Sequence, residues 1–164
     1  MTASLVRRIA TVAAAAAIAT VTLVTQAPAA SAADDHRPVL LRSGLVGSTP
    51  APAGPTLFGI IPGTAPWVID RGRVRLDTYG NLDVRVRGLV IPTAPANGTN
   101  PVPSLSASVV CNGAVVATTG TVAFNTKGNA RIDTTVSVPS PCLAPAVLVH
   151  PNAVTAVYIA ASGG

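Results

Sequence analysis

Glutamate is missing from this 164-residue chain, lysine occurs once, as Lys127, and methionine occurs only as the initiator. Without Glu, a paired-carboxylate glycosidase would have to draw both carboxyls from six Asp, and nothing in their spacing favours a pair. Histidine occurs twice, at His36 and His150. A serine hydrolase needs nucleophile, base and orienting acid within reach of one another, and no Gly-x-Ser-x-Gly elbow is present. Cysteine also occurs twice, at Cys111 and Cys142. Once these two pair, a zinc site is starved of ligands. Charged residues make up 10% of the chain and the net charge is +5, too modest a surplus to argue for nucleic acid.

What is present begins with a leader. Arg7 and Arg8 give a short positive start, Ile9 to Val24 is an uncharged Ala-rich run, and Ala30-Ser31-Ala32 closes it with small residues. That order predicts a secretory signal peptide, helical, over 1–32. A spanning helix would need about 20 strongly apolar residues, and this run is shorter and rich in Ala. Arg7-Arg8 raises twin-arginine export, but the usual Phe-Leu does not follow. No Cys follows the run to carry a lipid. The C-terminal Ala-Ser-Gly-Gly shows no sorting signal. The Ala/Val/Gly/Pro/Arg bias is that of a GC-rich bacterial coding sequence.

The exported remainder, about 130 residues, suits one domain with a real core. In an oxidising space its two cysteines are expected to form one disulfide, Cys111–Cys142. Closing that loop is worth roughly 3.5–4 kcal/mol by chain entropy. Redox chemistry is disfavoured, because the spacing is not Cys-x-x-Cys and no base sits beside either sulfur.

Residues 33–55 run from Asp34-Asp35-His36-Arg37 through a short apolar stretch to a Pro-rich end. They read as an N-terminal arm with material for one strand. From Thr56 onward the pattern has period two. Val74 and Leu76 alternate with Arg73, Arg75 and Asp77. Leu82, Val84 and Val86 alternate with Asp83, Arg85 and Arg87. Similar runs follow at 104–111, 122–124, 130–138 and 154–158. This predicts an all-β domain over 56–164. The architecture expected is an antiparallel β-sandwich, immunoglobulin-like or jelly-roll-like, of about seven to nine strands. Its expected core is Val74, Leu76, Leu82, Val84, Val86, Leu105, Val109, Val122, Phe124, Ile132 and Val136. Pro92 to Pro103 reads as an irregular surface insertion.

Two turns share one pattern: Asp77-Thr-Tyr-Gly-Asn81 and Asn125-Thr-Lys-Gly-Asn129. Each starts on an Asx side chain and places Gly where a type I turn plus bulge needs positive φ. A three-residue loop pairs Leu76 with Leu82 and Val74 with Val84. The same rule pairs Phe124 with Ala130 and Val122 with Ile132. Apolar meets apolar in both hairpins, so turn chemistry and hydrophobic register agree.

That register puts Arg75 opposite Asp83, Arg73 opposite Arg85 and Arg71 opposite Arg87. Like charges opposed on a ladder are unfavourable, and guanidinium forks suit carboxylate and phosphate. Arg73, Arg75, Arg85 and Arg87 are therefore the candidate anion-binding residues. The competing reading is a solvated strand face that keeps an edge from pairing with another chain. Tyr79 sits at the hairpin tip, where most residues are tolerated, and Trp67 reads as core. Were the leader cut after Ala33, Asp34-Asp35-His36 would open the chain with a square-planar Cu(II) or Ni(II) set. The better cut, after Ala32, leaves His36 fourth. Asn97-Gly98-Thr99 matches a glycosylation sequon, a common three-residue coincidence. No catalytic residue, metal or cofactor is expected.

The segments Gly72–Asp77, Arg87–Pro92, Asn100–Leu105, Val110–Gly113 and Pro139–Pro145 resemble small secreted actinobacterial proteins of unassigned function. The resemblance covers most of 70–162 and implies a shared domain. A narrower likeness, over Arg71–Leu89, is to the strand–turn–strand–Gly-Leu pattern of chordin-type repeats. Those continue into a histidine-bearing segment, which is lacking here, so no metal role carries over. The leading expectation is a secreted, non-catalytic structural or interaction domain of the cell envelope or extracellular space. One alternative is a module binding an anionic cell-wall polymer or glycan through the Arg-rich hairpin. The other is a hydrolase, which would show a polar cleft around an Asp or His150.

Overall fold

The computed structural model describes residues 38–163. The leader over 1–32 and the Asp34-Asp35-His36-Arg37 segment lie outside the described residues. Within them the chain is all-β, with no helix. Its strands are β1 (Val39–Gly47), β2 (Ile61–Pro62), β3 (Arg71–Asp77), β4 (Asn81–Arg87), β5 (Ser104–Cys111), β6 (Ala114–Thr118), β7 (Val122–Ala123), β8 (Ala130–Thr135), β9 (Ala146–Pro151), β10 (Val157–Tyr158) and β11 (Ala160–Ser162). Nine of these form one sheet in the order β6-β5-β9-β11-β1-β3-β4-β8, with β7 also on β5. Every pairing in it is antiparallel, and the short β2–β10 pair is parallel.

The sheet curls because β1 serves two partners. Its first part, Val39 to Gly44, pairs with β3, and its last three residues, Leu45 to Gly47, pair with β11. The expected N-terminal arm thus supplies the strand that joins the two halves of the sheet. One face of each half turns inward. Val74, Leu76, Leu82, Val84, Val86 and Ile132 meet Leu105, Ala107, Val109, Val147 and Val149 in a single core. Val122 and Val136, also expected there, are only partly buried against it. Trp67 is buried and stacks on Phe124 with ring centroids 6.5 Å apart.

The first hairpin has the register its turn dictates: Leu76↔Leu82, Val74↔Val84, Arg75↔Asp83, Arg73↔Arg85 and Arg71↔Arg87. Asp77 Oδ1 accepts from the Tyr79 and Asn81 amides at 2.9 and 3.0 Å. Gly80 takes φ +84°, a region open to glycine at no steric cost. The second turn repeats this. Asn125 Oδ1 accepts from the Lys127 and Asn129 amides at 3.1 and 3.0 Å.

Its strands do not pair as expected. The ladder stops at the Asn125–Asn129 contact. β7 instead joins β5, with Leu105↔Val122, while β8 joins β4, with Val84↔Ile132. The buried Asn100 side chain accounts for the split. Its Nδ2 donates to the carbonyls of Val102 and Asn125 at 2.7 and 2.9 Å, and its backbone N–H donates to Thr126 O. These bonds tie the start of the second turn to the 92–103 segment, which leads directly into β5. The turn becomes a corner between the two halves of the sheet.

Cys111 at the end of β5 is bonded to Cys142 in the β8–β9 loop. Asn112 reinforces the staple, exchanging bonds with the Leu143 amide and carbonyl at 2.8 Å each.

Candidate functional site

The outward face of β1, β3, β4 and β8 follows from the pleat. Residues two apart share a face, so the inward set Val74, Leu76, Val84 and Val86 forces Arg71, Arg73, Arg75, Arg85 and Arg87 outward. Strand neighbours extend the array. Arg42 of β1 lies opposite Arg75, and Arg131 of β8 lies opposite Arg85. Seven arginines, all those among the described residues, therefore occupy one face.

The face divides into a neutralised part and an open part. Asp83 accepts from Arg85 Nε at 2.8 Å and from Arg131 Nη2 at 2.8 Å, and Arg131 also bonds Asp133. Partial burial pushes the Asp83 carboxyl up, but hydrogen bonds and charge from Arg85 and Arg131 outweigh it. The net effect holds Asp83 below the ordinary carboxylate range. Asp83 in turn raises the Arg85 guanidinium. Cross-strand Asp83–Arg75 was the expected pair; the carboxylate's hydrogen bonds go to Arg85 and Arg131.

Beside this network lies a groove of about 600 Å³ lined by Arg42, Ser43, Gly44, Arg71, Gly72, Arg73, Arg85 and Arg87. Arg42, Arg71, Arg73 and Arg87 make no side-chain ion pair or hydrogen bond with any described residue. No carboxylate of a described residue lines the groove. Asp70, next to Arg71 in sequence, lies against Gly88. Gly44 stands opposite Arg73 and leaves that position of the face without a side chain. Two smaller recesses adjoin the groove. One, of about 290 Å³, holds Arg75 and Asp83, and the other, of about 420 Å³, reaches Arg131 and Asn129.

Of the four candidate anion-binding residues, Arg73, Arg85 and Arg87 line the groove, and Arg75 sits in the adjoining recess. Arg71 belongs with them, as its place opposite Arg87 indicates. Arg42 and Arg131 were missed as site residues. No local pattern announces them, because a sequence does not say which distant strands lie beside a hairpin. Tyr79 is 68% exposed at the hairpin tip, beyond the groove.

His150 presents a different geometry on the other half of the sheet. Its Nδ1 lies 2.7 Å from Val157 O and its Nε2 lies 2.8 Å from Ser108 Oγ. A carbonyl only accepts, so Nδ1 carries the proton and Ser108 donates to Nε2. Ser108 Oγ then accepts from Thr118, 2.9 Å away. The connectivity is that of a nucleophile and its base, but Ser108 and His150 are both 0% exposed, which leaves no room for a substrate. Burial lowers the imidazole pKa, and the bond to Val157 opposes this only partly.

No group of three or more His, Cys, Asp or Glu among the described residues is arranged to hold a metal ion. The chain matches no protein-family model, no curated protein and no solved structure.

Proposed function

We propose that this chain is an exported, non-catalytic domain that holds an anionic polymer of the cell envelope or extracellular space on its arginine face. One observation carries the reading. Four guanidiniums without a carboxylate partner among the described residues converge on one groove. Two of them, Arg71 and Arg87, are directly opposed on a ladder. Such a placement is unfavourable in the free protein and becomes favourable when an anion lies between them.

The export reading draws support from the leader-like residues 1–32 and from the disulfide, a bond at home in oxidising compartments. No helix among the described residues is long and apolar enough to cross a membrane. The two facing halves of the curled sheet support a β-sandwich class for the domain. The enclosure of His150 and Ser108 weighs against a hydrolase built on them.

The test is retention of the purified chain on isolated bacterial cell wall, beside a variant carrying Arg42→Ser, Arg71→Ser, Arg73→Ser and Arg87→Ser. Salt-sensitive retention that the variant loses supports the reading, since exposed charge is screened over about 8–10 Å at ordinary ionic strength. Equal behaviour of the two proteins returns the arginines to the role of a solvated strand face.

A further inference from the structure

Resting on the anionic-polymer reading, we infer that the groove's ligand is an acyclic phosphodiester polymer, a polyol phosphate chain, crossing the sheet from Arg87 over Arg71 and Arg73 to Arg42.

The lining supplies the first argument. Five arginines, two glycines and Ser43 surround the groove. Sugar rings and nucleobases are held by flat aromatic faces, and sugar hydroxyls by carboxylate or amide acceptors that can take their protons. The chain's aromatic side chains lie elsewhere: Trp67, Phe124 and Tyr158 are buried, Tyr79 is at the hairpin tip, and Phe58 is in the loop before β2. The groove therefore reads charge and does not read rings. A polymer that offers charge on a plain carbon backbone satisfies it fully.

Spacing supplies the second. Arg71 and Arg73 are two residues apart on one strand, about 6.8 Å at the usual rise. Arg87 faces Arg71 across one strand spacing of about 5 Å. Arg42 lies diagonally beyond Arg73, one strand over and two residues along. A three-carbon spacer puts six bonds between successive phosphorus atoms, roughly 7 Å when extended with bonds near 1.5 Å. Successive phosphates of such a chain can each meet one guanidinium fork. A lone phosphate meets only one or two.

Gly44 supplies the third. It lies beside Arg73 on the way to Arg42. A Cβ there would find its nearest neighbours, the Gly72 and Gly163 carbonyl oxygens, at 3.9 Å, an ordinary contact. Packing would accept a side chain at this position, and glycine keeps the path over β1 open.

The experiment is a titration of the purified chain with fluorescent poly(glycerol phosphate), with polygalacturonate and single-stranded DNA of equal charge, and with inorganic phosphate. Gly44→Leu runs alongside, with its melting temperature as the folding control. The expected result is binding of poly(glycerol phosphate) at least about tenfold tighter than the other probes. Four phosphate contacts should also weaken it about 50-fold between about 50 and 200 mM salt. Gly44→Leu should melt like the parent and lose about tenfold or more in affinity. Equal or tighter binding of polygalacturonate overturns the preference for phosphate, and equal or tighter binding of DNA overturns the acyclic backbone; either outcome leaves the anionic-polymer reading intact. Undiminished binding by Gly44→Leu overturns the path across β1. No binding of any polymer overturns both readings.

Discussion

Arg71 and Arg87 face each other across the β3–β4 ladder, and neither guanidinium is paired with a carboxylate of the described residues. Directly opposed like charges on a sheet cost a few tenths of a kcal/mol to about 1 kcal/mol. A fold under pressure only for stability would not keep this pair. Replacing Arg71 with Ser should therefore raise the unfolding free energy in low salt, by about 0.5 kcal/mol. The gain should shrink as salt is added, because the repulsion is screened. Urea melts of parent and variant at two ionic strengths check this. A variant less stable than the parent in low salt would mean that Arg71 packs favourably in a way its charge does not reveal.

Asp83 neutralises two arginines that border the groove. Asp83→Asn should free Arg85 for a ligand, while Arg131 keeps its pair with Asp133. Affinity for a polyanion is expected to rise about three- to tenfold, with little change in melting temperature, since exposed ion pairs contribute little to stability. Comparing the two proteins on one polyanion at fixed salt is sufficient. A weaker-binding variant would show that Asp83 holds Arg85 in its binding position, and that order matters there more than net charge.

Gly80 and Gly128 occupy equivalent places in the two related turns, at φ +84° and +73°. Each also supports a neighbour: Gly80 O accepts from the Val136 amide, and Gly128 O accepts from the Leu89 amide. A Cβ on Gly80 would overlap the Val136 carbonyl oxygen, and one on Gly128 would overlap the backbone of Leu89. Gly98 has φ +82° but open space around it. Gly98→Ala should cost about 1 kcal/mol, the conformational penalty alone. Gly80→Ala and Gly128→Ala should each cost roughly 3 kcal/mol or more, because the backbone must also shift. Thermal melts of the three variants separate the two effects.

His150 is buried and held neutral. Its folded pKa lies below its ordinary value of about 6.5, so the unfolded chain takes up a proton first as the solution is acidified. This contribution to stability is fully present above about pH 6.5 and is lost as pH falls from there through the lowered folded value. The Asp83 contribution acts in a separate window, disappearing only as pH falls below about 3.8. Unfolding free energies across pH 4.5–8 should fall on the acid side for the parent. The profile should be flatter for His150→Asn, whose amide can still donate to Val157 O. Parallel profiles would assign the acid sensitivity to another group.

The first hairpin was readable residue by residue. Asp77, Gly80 and the alternation on either side constrain one another, and a slip of one position would have turned Leu76 and Val84 outward. The second turn was equally readable, but the fate of its strands was not. Asn100 is one of four polar side chains in a Pro-rich stretch, beside Thr93, Asn97 and Thr99, and only the fold shows that its side chain ties down the turn 25 residues further on. The arginine face followed the same division. Arg73, Arg75, Arg85 and Arg87 came from local periodicity. Arg42 and Arg131 joined them through strand neighbours set by long-range pairing, which alternation does not encode. The groove itself depends on Gly44, a residue that in sequence is one glycine among fourteen.

The shared strand β1 also governs when the fold can form. Leu45, Val46 and Gly47 pair with Ser162, Ala161 and Ala160, so a strand among the first residues of the domain waits for one among the last. A chain emerging from its N-terminal end can assemble the β3–β4 hairpin early, but the seam between the two halves stays open until β11 is available. Contacts this distant in sequence slow folding. The incomplete chain meanwhile exposes a sheet edge where β11 will later sit. Closure therefore follows the synthesis of β11, and the groove over Gly44, which lies at that seam, acquires its final shape only then.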